Sequence, residues 1–272
     1  MTETLADISW PVERALEGVT IAIPNWNHEY FLPRSINSAL ATLKALARHG
    51  VPGEVVVIDD CSRDGSLALL RQLEALHYED GLRVCALAKN VGLGAARNQA
   101  LRIARFRYIA FLDADNELES ENLYHFYRAI KQTESVAVFG NLICPTEGAM
   151  RLLSEQSFQT RIFRGNYIDA CALFDRVQVM DCGGYQTGHL LHGHDDWELY
   201  LHFAALGRRI VFVPLTFGIY YDLPYSLIKE ATQDRGWEVV GRVHRMFNQL
   251  EIRDRMPHNS RQLRYHPDIG YL

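Results

Sequence analysis

The feature that most constrains the fold is a regular alternation of short apolar runs and amphipathic segments between residues 19 and 112. Branched and aromatic side chains dominate the runs, as in buried strands, whereas the segments between them have helical spacing. The predicted strands are Val19–Ile23, Glu54–Ile58, Leu82–Leu87 and Tyr108–Leu112, and the predicted helices are Tyr30–Arg48, Ser66–Leu76 and Gly94–Ala104. Because short strand–helix connections give right-handed crossovers, we predict an α/β fold with a mostly parallel central sheet flanked by helices.

The pattern becomes less regular after Glu119. The predicted elements there are a helix over Asn122–Lys131, a strand over Val136–Phe139, an irregular stretch over Pro145–Gly165, an extended segment over Tyr167–Phe174, a helix over Asp196–Leu206, a strand over Arg209–Val213 stopped by Pro214, and an amphipathic helix over Trp237–Leu250. Residues 251–272 are polar and arginine-rich and are predicted to be partly loose. We divide the chain into a leader, 1–17, with a short helix over Val12–Leu16; one domain of two halves, 18–118 and 119–222; and a C-terminal helix and tail, 223–272.

The composition excludes several classes of protein. The chain has 272 residues, of which 48% are hydrophobic and 22% charged, as in an ordinary globular protein. Its net charge of −5 argues against nucleic acid as the main partner, which usually requires a basic face. No apolar run approaches the ~20 residues of a membrane span, and the acidic N-terminus lacks a signal-peptide pattern. Five scattered cysteines without a Cys-x-x-Cys pair fit reduced thiols rather than a zinc site, so we expect a cytoplasmic protein.

Polar residues follow the predicted strands, where ligands of parallel sheets bind. Asn25-Trp26-Asn27, Asp59-Asp60, Lys89-Asn90 and Asp113-Ala114-Asp115 all occupy such positions. The two carboxylates of the last group are costly to bury without a partner, but they are good oxygen ligands for Mg²⁺ or Mn²⁺. A cation held there could bind a diphosphate. By itself the triplet is equally compatible with a solvated loop.

The ordered series of motifs resembles family 2 glycosyltransferases with the GT-A fold. The segments that carry the resemblance are Ile21–Asn27, Val57–Ser66, Asn90–Asn98, the Asp-x-Asp triplet Asp113–Asp115, Gly183–Tyr185 in place of Gly-Gly-Phe, and Asp195–Leu199 in place of a Glu-Asp-Trp segment. The likeness covers residues 18–222 and implies a nucleotide-sugar-binding half, 18–118, followed by an acceptor-binding half, 119–222. Members of the family are mostly inverting enzymes that use a nucleotide-sugar donor and a divalent metal.

The resemblance implies a set of donor-binding residues in the first half. It places the nucleotide against the Pro24–Asn27 loop, with Asp60 accepting a hydrogen bond from the uracil ring and Asp59 bracing the loop. Arg97 either reaches a donor phosphate or is an exposed surface arginine. The implied donor-binding residues are Pro24, Asn25, Asn27, Asp60, Asn90, Gly94, Arg97 and Asp113.

The resemblance also implies a metal ligand and a general base. Asp115 would bind Mg²⁺ or Mn²⁺ directly, with Asp113 contacting the metal through water or contacting the ribose. Asp196 would deprotonate the acceptor hydroxyl, and Asp195 is the alternative base or a partner of it. Both aspartates also begin a predicted helix, where the helix dipole favours acids for structural reasons alone.

Departures from the family pattern leave three points open. His189, His192 and His194 either form a second metal site or belong to a loop that contacts the acceptor. Many GT-A enzymes have a metal-binding histidine after the last core strand, but Phe217–Asp222 contains none, so Asp222, another histidine or water would have to replace it. Asp169 either binds an acceptor hydroxyl or caps a strand end.

The leading hypothesis is an inverting glycosyltransferase that moves a sugar from a UDP-sugar to a hydroxyl of a glycan, lipid or small molecule. A nucleotidyltransferase is an alternative, although Pro24–Asn27 lacks the glycines and basic residues that would grasp phosphates. A non-catalytic nucleotide-sugar-binding scaffold is another. The arginines around the apolar face of Val240–Leu250 either contact an anionic membrane or a partner, or border a helix that packs on the domain.

Overall fold

The computed structural model describes residues 15–146, 149–152, 162, 166, 168–187, 194–223, 265–266 and 270–271. The first half contains every strand and helix that the sequence predicts there. They are β1 (Leu16–Asn25), α1 (Leu32–Arg48), β2 (Gly53–Asp59), α2 (Ser66–His77), β3 (Leu82–Ala86), α3 (Leu93–Ile103) and β4 (Phe106–Phe111). β1 begins at Leu16, inside the predicted leader, and continues through Pro24. The rest of the leader lies outside the described residues.

The strands β4, β1, β2 and β3 lie side by side in that order and are parallel. Side chains alternate across a strand, so Val55 and Val57 of β2 enter one hydrophobic cluster and Val56 and Ile58 enter another. The apolar face of α1 belongs to the first cluster and that of α3 to the second. Because helices cover both faces, β2 is apolar throughout its centre.

The second half extends the same sheet with mixed orientation. Its elements are β5 (Glu117–Leu118), α4 (Leu123–Thr133), β6 (Ala137–Thr146), β7 (Ala149–Leu152), β8 (Leu173–Asp175), α5 (Arg176–Asp181), α6 (Asp195–Ala205), β9 (Ile210–Ile219), β10 (Tyr265–His266) and β11 (Gly270–Tyr271). The main strand order is β10-β11-β9-β6-β8-β4-β1-β2-β3. β8 is antiparallel to β4 and β6, whereas β6 and β9 are parallel.

Two predictions for the second half are wrong. The stretch Pro145–Gly165 is not irregular throughout, because β6 continues to Thr146 and pairs with β7. Pro214 does not end β9, which continues to Ile219. The β6–β9 register shifts beside it, with Phe139 opposite Phe212 but Asn141 opposite Thr216. Pro214 therefore lies in a bulge, where its missing N–H removes no ladder hydrogen bond.

The extended segment predicted over Tyr167–Phe174 is also shorter than expected, because in its described part the strand begins only at Leu173. α5 follows directly and was not predicted. The Asp175 carboxylate accepts hydrogen bonds from the amides of Val177 and Gln178 and so caps this helix.

Most of the C-terminal predictions lie outside the described residues, including the helix over Trp237–Leu250 and its membrane contact. Within residues 251–272, which are predicted to be partly loose, the described residues form β10 and β11 and extend the sheet by the pairing of Tyr271 with Phe212. In the part of the chain that the structure describes, no helix is both long enough and apolar enough to cross a membrane.

Candidate active site

The loops after β1 and β2 are joined by a network of hydrogen bonds. Asn25 Nδ2 donates to Asp59 Oδ1 at 2.8 Å and to Ser62 Oγ at 3.1 Å. The fully buried Asp59 carboxylate also accepts from the Ser62 hydroxyl and amide. Asn27 has a φ of +59°. Its backbone N–H donates to Ser62 Oγ, and its side-chain Oδ1 accepts from the backbone N–H of Arg63. The Pro24–Asn27 loop is therefore fixed by the protein itself, with Asp59 as its brace.

Asp60 joins this loop to the one that precedes α3. Its two carboxylate oxygens accept hydrogen bonds from the amides of Val91 and Gly92, each at 2.8 Å. Asn90 Nδ2 donates to the Asp60 carbonyl at 3.1 Å. Burial raises the pKa of Asp60, against the lowering effect of the two amides. Asp60 and Asn90 thus lie together beside the predicted nucleotide loop.

Arg97, on α3, lies at the centre of the site. Its side chain is only 3% exposed, which excludes the surface-arginine interpretation. Nη2 donates to Asp113 Oδ1 at 2.9 Å, and the guanidinium lies 5.4 Å from the centroid of the Tyr185 ring. Burial alone would lower the pKa of Arg97, but the nearby acids, which include Asp195 and Asp196, raise it above the ordinary range. Arg97 therefore connects the Asp-x-Asp loop with the start of α6.

Five carboxylates form an acidic cluster at this position: Asp113, Asp115, Asp169, Asp195 and Asp196. Burial raises the pKa of Asp169 to about 7, with further contributions from Asp113 and Asp196. Burial and the neighbouring Asp113 raise the pKa of Asp115 to about 6, and Asp169 contributes to that shift. Residues of both predicted centres, Asp113 and Asp196, therefore lie near enough to Asp169 to raise its pKa, so the two centres lie in the same region of the fold.

Asp195 and Asp196 begin α6, as the sequence predicts. Burial raises the pKa of each to about 6, although Arg97 opposes the shift. Asp196 Oδ1 accepts hydrogen bonds from Asn166 Nδ2 at 3.0 Å and from the Trp197 amide at 2.7 Å. The Asp196 carboxylate is thus held in place, and the proton affinity of both carboxylates is raised toward neutral pH.

Gly94 permits the close approach of α3 to the second half. A Cβ atom at this position would lie 2.7 Å from the Gln186 carbonyl oxygen and 3.3 Å from Asp195 Oδ1. Any side chain would therefore collide with the loop that precedes α6. The neighbours of Gly94 in the structure belong to the second half, although the family resemblance places Gly94 among the donor-binding residues of the first.

The residues of the cluster fit a divalent cation. Oxygen atoms of Asp113 and Asp169 and the Cys171 sulfur lie within 4.8 Å of one another. The carboxylates are donors that Mg²⁺ and Mn²⁺ prefer, and the thiol is a softer donor. His28, which the sequence analysis did not single out, faces Asp115 closely enough to lower its pKa. Asp222 is exposed at the end of β9, and His189 and His192 lie outside the described residues.

The sequence left two alternatives open for Asp169, and neither placed it beside the Asp-x-Asp residues. It gave no indication of the position of His28. Asp169 carries no motif, and the irregular segment before β8 gave no register from which to place it. Its position opposite the Asp-x-Asp loop depends on the antiparallel pairing of β8 with β4, which no local sequence pattern indicates.

Solved structures share this architecture. The chain superposes on Staphylococcus aureus TarS, residues 1–349 in complex with UDP-GlcNAc, with a TM-score of 0.66 and 20% identity, over 83% of this chain and 65% of that one. It superposes on the mannosyltransferase PcManGT of Pyrobaculum calidifontis, in complex with GDP-Man and Mn²⁺, with a TM-score of 0.60 and 17% identity, over 90% and 69% of the two chains. The fold is therefore of the GT-A type.

Sequence comparison gives the family. Residues 20–184 match the model of glycosyl transferase family 2, and the chain belongs to this family. It is 34% identical over 139 residues to the succinoglycan biosynthesis protein ExoO of Rhizobium meliloti, covering 50% of this chain and 37% of that protein. It is 32% identical over 127 residues to a poly(ribitol-phosphate) beta-glucosyltransferase of Bacillus spizizenii, covering 46% and 19%. The chain thus spans less than two fifths of the length of either relative.

Proposed function

We propose that the protein is a metal-assisted, inverting glycosyltransferase that transfers a sugar from a UDP-sugar to a hydroxyl acceptor. The observation that carries the proposal is the position of Asp169, which has a carboxylate oxygen within 4.8 Å of one of Asp113 and lies near enough to Asp196 for that carboxylate to raise its pKa. A metal-ligand pair and a base that share one site match the needs of glycosyl transfer. TarS, solved with UDP-GlcNAc, supports a uridine nucleotide as the first donor to test.

The first half of the domain supplies the donor site. Asn25 and Asn27 lie in a loop that is already ordered by Asp59 and Ser62, so the loop requires little rearrangement to bind a nucleotide. Each Asp60 oxygen accepts one amide hydrogen bond, and a carboxylate has about four acceptor sites in total. We assign its remaining capacity to the uracil N–H.

Asp115 and Asp113 would hold the divalent cation, which neutralises charge on the departing diphosphate when it is bound. The raised pKa of Asp115 reflects a carboxylate that the protein buries beside a second one. Arg97 Nη2 donates a hydrogen bond to Asp113 Oδ1, and this contact fixes the Asp113 carboxylate within the cluster. The surplus of negative charge among these side chains favours a bound cation.

Asp196 is the proposed general base. Its Oδ1 already accepts two hydrogen bonds, so the proton of the acceptor hydroxyl would go to Oδ2. The acceptor oxygen forms a bond to the anomeric carbon as the bond from that carbon to the diphosphate oxygen breaks, and the configuration inverts. A base with a pKa of about 6 is ionised at neutral pH and still accepts a proton readily.

Titration calorimetry with UDP, in the presence and absence of Mn²⁺, tests the donor site, and transfer assays with a panel of UDP-sugars and hydroxyl acceptors test the reaction. We expect metal-dependent binding of UDP that is lost in Asp115→Ala and kept in Asp181→Ala, which alters an exposed residue outside the site. Equal binding of UDP by the Asp115 variant would refute the metal assignment. Binding without transfer to any acceptor would favour the scaffold hypothesis.

A further inference from the structure

We propose that Arg34 of α1 is a positioning residue for the metal-binding loop, defined here as residues 113–118, and that this role couples the loop to nucleotide binding. The proposal rests on the proposed function, because the proposed function assigns a bound metal ion to this loop. The contacts themselves are independent of that function. Arg34 lies two residues into α1, which begins shortly after the predicted nucleotide loop.

Three side chains of the first turns of α1 hold the backbone of the loop. Arg34 Nη2 donates to the Asp115 carbonyl at 2.5 Å, and the Ser35 hydroxyl donates to the Asp113 carbonyl at 3.4 Å. The Leu118 amide donates to Ser38 Oγ at 3.2 Å. These three residues at the start of α1 thus fix the loop at its beginning (Asp113), its middle (Asp115) and its end (Leu118).

The guanidinium of Arg34 also connects the loop to the end of β9. Its Cζ lies 3.6 Å from the centroid of the Tyr221 ring, and its Nε lies 3.4 Å from Glu117 Oε1. The Tyr221 hydroxyl donates to the same Glu117 oxygen at 2.6 Å, and the Tyr221 amide donates to Asn116 Oδ1 at 2.9 Å. Arg34 therefore contacts both the loop, at Asp115 and Glu117, and the segment that follows β9, at Tyr221.

This geometry requires a planar, forked cation. Stacking on Tyr221 while donating to the Asp115 carbonyl and facing Glu117 uses both the flat face and the separate N–H groups of a guanidinium. A lysine ammonium can satisfy one of these contacts but not all three. Because Asp115 is anchored through its own carbonyl, losing Arg34 would free the residue whose carboxylate is the predicted metal ligand.

The test compares Arg34→Lys with Arg48→Lys, which alters an exposed arginine at the other end of the same helix, paired with Glu121. We expect Arg34→Lys to weaken Mn²⁺-dependent UDP binding about tenfold or more, the usual cost of losing a residue that supports a metal ligand. Metal-free UDP binding should remain within about twofold of the wild type. Arg48→Lys should change neither quantity.

Hydrogen exchange provides a readout that needs no ligand. We expect the Asn116 and Leu118 amides to exchange faster in Arg34→Lys than in Arg48→Lys, and Tyr221→Phe, which keeps the ring but removes the hydroxyl, to show a smaller effect. Unchanged exchange in both Arg34→Lys and Tyr221→Phe overturns the proposal. Wild-type protein that binds no UDP would refute the proposed function instead, and exchange alone would then decide the role of Arg34.

Discussion

The two halves of the domain use their aspartates in opposite ways. In the first half, the buried Asp59 accepts hydrogen bonds from Asn25 and twice from Ser62, and Asp60 accepts from two loop amides. In the second half, Asp169, Asp195 and Asp196 lie near one another, and burial raises their pKa values to about 7, 6 and 6. The carboxylates of the first set accept hydrogen bonds that order their own loops. The carboxylates of the second set are crowded together, and their raised pKa values show that the folded protein disfavours their negative charge.

This difference separates a preformed part of the site from an incomplete one. Hydrogen bonds that close within the protein order the donor loops before any ligand arrives, which lowers the entropic cost of binding. Asp169 and Asp196 also accept hydrogen bonds within the protein, but the crowded carboxylates around the guanidinium of Arg97 keep a surplus of negative charge, which a cation or substrate would balance. Variants that remove acids from the two halves should therefore have opposite consequences for stability and activity.

The largest expected effect is on catalysis, in Asp196→Asn. Removing a general base costs about 10²- to 10⁴-fold in rate, because the acceptor hydroxyl keeps its proton. The amide retains the hydrogen bond from Asn166 at Oδ1, so UDP binding and folding should change little. Steady-state transfer kinetics and UDP titration measure the two quantities separately.

Asp195→Asn is the matched variant, since the residue is adjacent and burial raises its pKa to the same value of about 6. A smaller loss than in Asp196→Asn assigns the base to Asp196, and the reverse order assigns it to Asp195. The wild-type rate should also fall as the pH drops through about 6, because the base becomes protonated. A rate that is flat from pH 8 to pH 5 would contradict a base of this pKa.

The next largest effect is on stability, in Asp59→Ala. The substitution leaves buried donors of Asn25 and Ser62 without an acceptor, and we expect a loss of about 3 kcal/mol in the free energy of unfolding. Asp64→Ala, in the same loop but exposed, should cost less than about 1 kcal/mol. Urea unfolding of the two variants makes the comparison, and equal losses would show that Asp59 is not the brace.

The first half was predictable from sequence because one physical rule governs it. Strands covered on both faces are apolar throughout, and parallel crossovers then fix which strand ends meet. Asn25, Asp59 and Asp113 could thus be placed at one edge without knowing the register. The residue pattern did not show that Asp59 would bond with Asn25 while Asp60 turned to the next loop, because both choices suit an acid after a strand.

The second half was less predictable because its strands do not follow that rule. A proline inside β9 suggests a strand end unless the bulge between Phe212 and Thr216 is known, and the bulge depends on the partner strand. Asp169 precedes a strand of only three residues, too short for periodicity to indicate. Pairing with β4 places Asp169 in the site, and that long-range contact has no local signal.

Asp169→Asn should raise stability, and the gain should depend on pH. The folded pKa of about 7 lies above the ordinary aspartate value of 3.8, so the folded state binds the proton more tightly than the unfolded state. The wild type therefore loses stability as the pH rises from about 4 to about 7. The amide carries no charge and escapes this loss. We expect the gain from the substitution to be about 2–3 kcal/mol larger at pH 8 than at pH 5.

Thermal or urea unfolding at the two pH values checks this expectation. Asp181→Asn, at the exposed end of α5, should show no pH-dependent difference from the wild type. If Asp169→Asn is less stable than the wild type at pH 8, the Asp169 carboxylate is already stabilised by partners within the protein. The proposed contrast between the acids of the two halves would then be wrong.

The smallest effect is expected for Tyr185→Phe. The Tyr185 side chain is 2% exposed, and its hydroxyl has no hydrogen-bond partner although it lies among Arg97 and the acids. The ring keeps its edge-to-face contact with Phe111, at 5.6 Å between centroids. Removing an unsatisfied buried hydroxyl should be neutral or stabilising by less than about 1 kcal/mol, as measured by urea unfolding. The same change at Tyr221, whose hydroxyl donates to Glu117, should destabilise. If Tyr185→Phe is the more destabilising of the two, the Tyr185 hydroxyl is hydrogen-bonded in the protein. The polar groups of the second half would then be satisfied as fully as those of the first, and its negative charge would need no ligand to balance it.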